Sequence, residues 1–127
     1  MAIKIKAVER PQPGVVGGGV KKFYANPVHS KEVSLDDLTK AIEKTSTVNG
    51  ADIRAVLYGL VEESVDGLSD GGIIRFGDLG SLRITLSSEG KDSAGEVTAA
   101  SVKKVGVIFT PGKKLQDMFK TAKFTKA

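Results

Sequence analysis

The stretch that decides the fold is the run IRAVLYGLVEESVDGL, residues 53–68. Asn49 precedes it as a candidate N-cap with Asp52 three residues later, and the pair Gly71-Gly72 follows it. The large apolar residues recur every three or four positions, the spacing that gathers side chains on one side of an α-helix; they are Ile53, Val56, Leu57, Leu60, Val61, Val65 and Leu68. The run therefore predicts an amphipathic helix over 53–69.

A shorter helix is predicted before it, over about 35–45. Leu35, Leu38 and Ile42 follow one another at helical spacing, and the hydroxyl of Ser34 is placed to cap the first turn. The polar segment 45–50 separates this helix from the next one. Two amphipathic helices joined by a short turn predict a helical hairpin.

The segments after the hairpin predict an antiparallel ribbon and a last helix. Residues 73–76 and 81–86 are predicted strands around a tight turn at 77–80, and 102–109 is a third strand. Residues 87–101 are small and polar, which predicts either a long loop or the tip of the ribbon. Thr110 is the predicted N-cap of the last helix and Pro111 its first residue, with an apolar face that consists of Leu115, Met118, Phe119 and Phe124.

The first 33 residues are predicted to form an extension with two short strands. Ile3, Ile5 and Ala7 alternate with lysines, and a second apolar stretch covers 20–25 beyond the glycines at 17–19. The whole chain is therefore predicted to be α+β, with an N-terminal extension at 1–33 and a main domain at 34–127.

Helix 53–69 is apolar over much of its circumference, and a chain of 127 residues offers little to cover it. A second copy of the chain solves this problem if the two helical hairpins interlock into one shared core. The sequence therefore predicts an obligate homodimer.

The distribution of charge and the absence of certain sequence features limit the kinds of function that the protein can have. The net charge is +4, but residues 1–31 carry +5, residues 32–70 carry −6 and residues 105–127 carry +4, so a polyanion is expected to meet the ends of the chain. There is no cysteine, no apolar run long enough for a membrane span and no signal-peptide pattern at the start. A cytoplasmic protein is expected.

Enzyme motifs are missing from the sequence. The glycines at 14–19 are not followed by Gly-Lys-Ser/Thr, no Gly-x-Ser-x-Gly occurs, and His29 is the sole histidine. We expect no catalytic activity, no metal, no cofactor and no small-molecule substrate.

Three places in the sequence resemble the bacterial histone-like HU/IHF proteins, over Leu35 to Phe124. The first is the helical pair with its Val56-Leu57 and Leu60-Val61 core pattern. The second is Leu79-Gly80-Ser81-Leu82, which stands where the family has Phe-Gly-x-Phe. The third is the run VIFTPGKKL at 107–115, which is similar to the family's Phe-x-Pro-Gly-Lys-x-Leu entry into its last helix. With its extension, the chain resembles the longer members of that family.

The resemblance implies an intertwined dimer that binds double-stranded DNA with little sequence preference and acts as a nucleoid-associated, DNA-condensing protein. In that family β-ribbon arms contact the phosphate backbone and reach into the minor groove, where a proline at each tip bends the duplex. Here the corresponding segment 87–104 has no proline and no arginine and is electrically neutral, so bending by intercalation is not expected. The alternative function is an HU-like structural or protein-interaction module that has lost its DNA-gripping arms.

The candidate DNA-binding residues are six cations. Lys113 and Lys114 stand at the entry to the last helix, where backbone N–H groups and the helix dipole also favour anions. The strands of the ribbon carry four further candidates, Arg75, Arg83, Lys103 and Lys104. Only those whose side chains share a face of the ribbon can form one binding surface. The lysines of the extension, Lys4, Lys6, Lys21 and Lys22, either add an electrostatic contact or guard a sheet edge.

Overall fold

The computed structural model describes residues 1–127 and has an α+β fold of three α-helices and two three-stranded sheets. Its contacts divide the chain into two compact units. The first unit consists of Met1–Ser34 and Phe119–Ala127, and the second of Leu35–Met118. The separation of 1–33 and 34–127 as functional domains stays a prediction. No helix combines the length and the apolar character that crossing a membrane requires.

The helical hairpin is confirmed, with α1 at Leu35–Thr45 and α2 at Gly50–Ser69. Asn49 caps α2 as predicted: its Oδ1 accepts the N–H of Asp52 at 3.0 Å, and its Nδ2 donates to the Asp52 carboxylate at 3.0 Å. An ion pair joins the two helices, because Arg54 Nε lies 3.2 Å from Asp36 Oδ1. Ile53 is the buried apolar residue of the hairpin.

The end of α2 is closed by the predicted glycines. Gly71 adopts a φ of 79°, a left-handed conformation that glycine enters without steric cost. The N–H of Gly72 donates to the Gly67 carbonyl at 3.0 Å and that of Gly71 to Leu68 at 2.9 Å, the bonding pattern of a Schellman cap. This cap ends α2, and the chain continues into the first strand of the next sheet.

The second unit contains one antiparallel sheet with strands β3 (Ile74–Arg75), β4 (Gly80–Ser88) and β5 (Val102–Pro111), in that spatial order. Residues that pair directly across strands share a face of the sheet. One face is apolar and follows the pairs Ile74–Leu82–Phe109, Ile84–Val107 and Leu86–Val105. The other face is mainly polar.

The predicted start of the last helix is wrong. The helix, α3, covers Lys113–Thr121, whereas Thr110 and Pro111 complete β5 opposite Ser81 and Gly80. These two residues belong to the strand because β5 stays paired with β4 up to Pro111, and proline is tolerated on an edge strand such as β5.

The first unit is a mixed sheet with the order β2, β1, β6. Strand β1 (Ile3–Arg10) runs antiparallel to β2 (Lys22–Pro27) and parallel to β6 (Phe124–Lys126). The two N-terminal strands were predicted, but Phe124 does not belong to the face of the last helix. It lies in β6 opposite Ile3, because the chain leaves α3 at Thr121 and bonds along β1 instead.

Candidate nucleic-acid interface

The turn at 77–80 is in direct contact with the beginning of α3. The N–H of Gly112 donates to the Leu79 carbonyl at 2.9 Å, and the N–H of Lys114 donates to the Asp78 carbonyl at 3.2 Å. A Cβ on Gly112 would lie 2.5 Å from the Asp78 oxygen and 2.8 Å from the Gly80 nitrogen. The two motifs that carried the resemblance are therefore halves of one backbone junction, which orients α3 on the sheet.

Lys113 and Lys114 lie on the exposed first turn of α3. Lys113 Nζ is 3.0 Å from Asp117 Oδ2, an ion pair one helical turn apart, and its side chain is 78% exposed. The sequence predicts that backbone N–H groups at this helix start favour anions. That is wrong for Gly112 and Lys114, whose amides donate to the turn. Any attraction for anions at this helix start therefore depends chiefly on the lysine ammonium groups.

Three of the predicted cations share the polar face of the sheet. Arg75 pairs with Ser81, Arg83 pairs with Ile108 two residues further along β4, and Lys104 pairs with Ser87 at the far end. All three are exposed. The distance from Ser81 to Ser87 is six residues, or about 20 Å at roughly 3.3 Å per residue. The face therefore carries a row of positive charges that extends along the strands.

Lys103 lies where the register of β4 and β5 shifts, between the pairs Ser87–Lys104 and Ser88–Val102. It is the extra residue of a β-bulge, and strand alternation does not assign it to the polar face. Lys103 is exposed at the base of the ribbon tip, so the structure brings Arg75, Arg83 and Lys104 together and leaves Lys103 at the margin.

A concavity of about 240 Å³ connects Arg75 to the start of α3. Arg75, the hydroxyl residues Ser81 and Thr110, and Gly112 are among the residues that line it. Hydroxyl groups are common phosphate contacts in protein–DNA interfaces. Ser81 and Thr110 are not among the candidates predicted from the sequence, although their alternation with Leu82 and Phe109 was a usable signal.

The ribbon tip, residues 89–101, folds into two short 3₁₀ turns, Ala94–Glu96 and Ala99–Ser101. The N–H of Glu89 donates to the Ser101 carbonyl at 2.8 Å and closes the tip, and Ser101 itself is 2% exposed. Lys91, the basic residue of the tip, is paired with Glu89 at 3.2 Å. The tip is compact and offers no large apolar side chain like the wedges that open base steps, apart from Val97.

No group of three or more acidic or histidine side chains is arranged to hold a metal ion. The arrangement consists of exposed cations, hydroxyl groups and one helix start. It can contact an extended anion through several charges at once.

Comparison with known proteins gives a family and a fold. No curated protein matches the sequence at a significant level. A crystal structure from Bacteroides vulgatus ATCC 8482, described as a "Putative bacterial DNA binding protein", is similar at a TM-score of 0.70 with 15% sequence identity. The similarity covers 98% of this chain and 47% of that one, so the chain spans about half the length of this relative. The family model described as "HU domain fused to wHTH, Ig, or Glycine-rich motif" matches residues 1–126, and the chain therefore belongs to this HU-like family, HU-HIG.

Proposed function

We propose that the protein is an architectural DNA-binding protein that contacts the phosphate backbone of double-stranded DNA with little sequence preference, as a homodimer. The observation that carries the proposal is the row of exposed cations Arg75, Arg83 and Lys104 on the polar sheet face. Phosphate contacts of this kind fix a protein on the duplex without reading its sequence. Membership of an HU-like family supports the same conclusion.

The proposed dimer follows from apolar surface that one copy leaves open. Val56 and Val65 on α2 are 70% and 57% exposed, and Val105 on the apolar sheet face is 65% exposed. Open apolar clefts of about 470 and 220 Å³ lie where α2 meets this sheet face. Full burial of one such side chain contributes about 1.5–3 kcal/mol, so a second copy that fills the clefts gains stability from many residues at once.

In the proposed complex the polar sheet face and the start of α3 contact phosphates, with Lys113 and Lys114 beside the concavity lined by Arg75. Lys103, at the base of the ribbon tip, adds a phosphate contact at the edge of this surface. The ribbon lies along the minor groove without intercalation, because its tip is compact and contains no proline or arginine. No catalytic step belongs to this role. The proposed location is the cytoplasm, at the nucleoid, where the proposed ligand lies.

The test is binding of a fluorescein-labelled duplex of random sequence, measured by anisotropy at about 50 and 200 mM salt. We expect affinity to fall steeply over this range, because each neutralised phosphate adds about 0.9 to the slope of log K against log salt. The triple variant Arg75→Gln, Arg83→Gln, Lys104→Gln is expected to lower that slope by about 2 to 3 for each subunit of the dimer that contacts the duplex.

The matched control is Lys31→Gln, Lys40→Gln, Lys44→Gln, which removes the same charge from α1 and the segment before it. This control is expected to change the salt slope by less than about 0.9, the value of one phosphate contact. Equal effects of the two triple variants would remove the sheet face from the site. No complex of the wild-type protein at low salt would leave the HU-like protein-interaction module as the function.

A further inference from the structure

The two units of the chain carry opposite charge. The first unit contains nine basic and two acidic side chains, a formal charge of +7, and the second contains ten basic and thirteen acidic ones, a formal charge of −3. The second unit, Leu35–Met118, contains the three motifs that resemble HU/IHF proteins, and we call it the HU-like unit. Its net negative charge does not attract a polyanion to the unit as a whole. The excess positive charge of the protein belongs to the unit built from β1, β2 and β6.

Four of the nine basic side chains of the first unit share one sheet face, against one on the opposite face. Lys4, Lys6 and Arg10 alternate along β1, and Lys22 pairs with Arg10 across the strands. The same face carries Val8, Tyr24, Asn26 and Thr125 and contains no acidic residue. Glu9, the single acidic residue of the three strands, belongs to the opposite face, with Ile3, Ile5, Phe23 and Phe124. We call the cationic side, with Lys4, Lys6, Arg10 and Lys22, the basic sheet face.

Protection of a sheet edge does not explain Lys4. Lysines that prevent edge-to-edge pairing stand on edge strands. At Lys4, strand β1 is paired with β2 on one side and with β6 on the other, so this lysine guards no open edge. The shared face of Lys4, Lys6, Arg10 and Lys22 is therefore the feature that needs an explanation.

The geometry of the basic sheet face suits a duplex. Lys4 and Arg10 are six residues apart on one strand, about 20 Å at roughly 3.3 Å per residue, which corresponds to about six base pairs at 3.4 Å each. All four cations are exposed. The guanidinium carbon of Arg10 lies 5.1 Å from the centre of the Tyr24 ring, a cation–π contact that reduces the freedom of the side chain before any ligand binds.

We infer that the basic sheet face is a second phosphate-binding surface for double-stranded DNA, separate from the cations of the HU-like unit. The inference rests on the proposed function, because the ligand is the same duplex. The inference assigns the first unit a role in affinity. The first unit adds electrostatic attraction for the duplex, and the sheet and the start of α3 in the second unit make the phosphate contacts proposed above.

The experiment compares two fourfold variants of the full chain on the same labelled duplex between about 50 and 200 mM salt. The first is Lys4→Gln, Lys6→Gln, Arg10→Gln, Lys22→Gln. The control is Lys31→Gln, Lys40→Gln, Lys44→Gln, Lys126→Gln, which removes equal charge, with Lys126 on the opposite sheet face. If all four cations contact phosphates, the first variant loses about 3.6 from the salt slope for each subunit that contacts the duplex, and the control loses less than one. Over a fourfold change in salt this difference amounts to roughly a hundredfold in affinity per contacting subunit.

Equal slopes for the two fourfold variants would overturn the inference, and so would binding of wild-type protein to anionic vesicles but not to the duplex. The variant Arg75→Gln, Arg83→Gln, Lys104→Gln, measured in parallel, separates the two surfaces. A loss confined to this triple variant supports the proposed DNA contact and rejects the basic sheet face. A loss of salt slope confined to the first fourfold variant supports the basic sheet face and rejects the proposed contact through Arg75, Arg83 and Lys104. If circular dichroism shows the fourfold variant to be unfolded, Lys4→Gln, Lys6→Gln replaces it, with an expected slope loss of about 1.8 for each contacting subunit.

Discussion

At the scale of single residues, the family motifs have a steric explanation. Gly80 and Gly112 lie at the junction of the 77–80 turn with α3, and a Cβ on Gly80 would meet the Thr110 carbonyl and the Phe109 ring. Neither position has space for a side chain, so the glycines of Leu79-Gly80-Ser81 and Pro111-Gly112-Lys113 are required by close backbone approach. The lysine after Gly112 is exposed and has no such constraint.

We expect Gly112→Ala to destabilise the protein by about 2–3 kcal/mol, because the new methyl group would meet the Asp78 carbonyl oxygen at 2.5 Å and backbone atoms cannot yield cheaply. Urea unfolding followed by circular dichroism measures the change. Gly90→Ala is the matched control, since nothing lies within 4 Å of its Cβ position, and its effect is expected within about 0.5 kcal/mol. Similar stabilities for the two variants would show that the junction yields to a methyl group.

At the scale of elements, the helical hairpin followed from the sequence because its signals are local. The periodicity of Ile53 to Leu68 and the cap at Asn49 involve residues within one or two turns of each other, and both are present in the structure. The face shared by Arg75, Arg83 and Lys104 required the register of three strands. Alternation within one strand does not give the register between strands, so the sequence supplied the six cations without showing which of them meet.

The errors at the last helix have the same origin. Thr110, Pro111 and Phe124 carry reasonable helix signals, but each is held by a strand that is distant in sequence: Ser81 and Gly80 for the first two, Ile3 for the third. Long-range pairing overrides local preference, and a single sequence contains little information about it. The parallel strand β6, which joins the two ends of the chain, was for this reason not predicted.

Strand β6 is expected to stabilise the N-terminal sheet, since two-stranded hairpins are marginally stable in water. The substitution Thr125→Pro removes the N–H at the middle of β6 and is expected to increase amide hydrogen exchange over Ile3–Arg10. Exchange in α2 is expected to stay unchanged, because α2 belongs to the other unit. Thr125→Val keeps the N–H and the strand preference and serves as the control. Unchanged protection of β1 in the proline variant would mean that β2 alone holds it.

At the scale of the whole molecule, charge and apolar surface are distributed in complementary ways. The second unit carries the exposed apolar residues of α2 and a net formal charge of −3, and the first unit carries +7. Apolar association is little affected by salt, whereas phosphate binding is strongly affected. Assembly and DNA binding are thus expected to respond differently to ionic strength, and the two can be measured separately.

The dimer is therefore best tested at high salt and without DNA. We expect the wild-type chain of 13.4 kDa to sediment as a dimer of about 27 kDa, with a melting temperature that rises with protein concentration, as in obligate dimers. Val56→Glu with Val65→Glu places a charge at each of two exposed valines of α2. The double variant is expected to abolish the dimer and, if the hairpin depends on its partner, to unfold the chain. Glu62→Lys with Glu63→Lys changes the charge of the same helix at exposed acidic positions, and it is expected to leave the mass unchanged. A wild-type monomer with a concentration-independent melting temperature would contradict the shared core, because the exposed valines would then be stable in water without a partner.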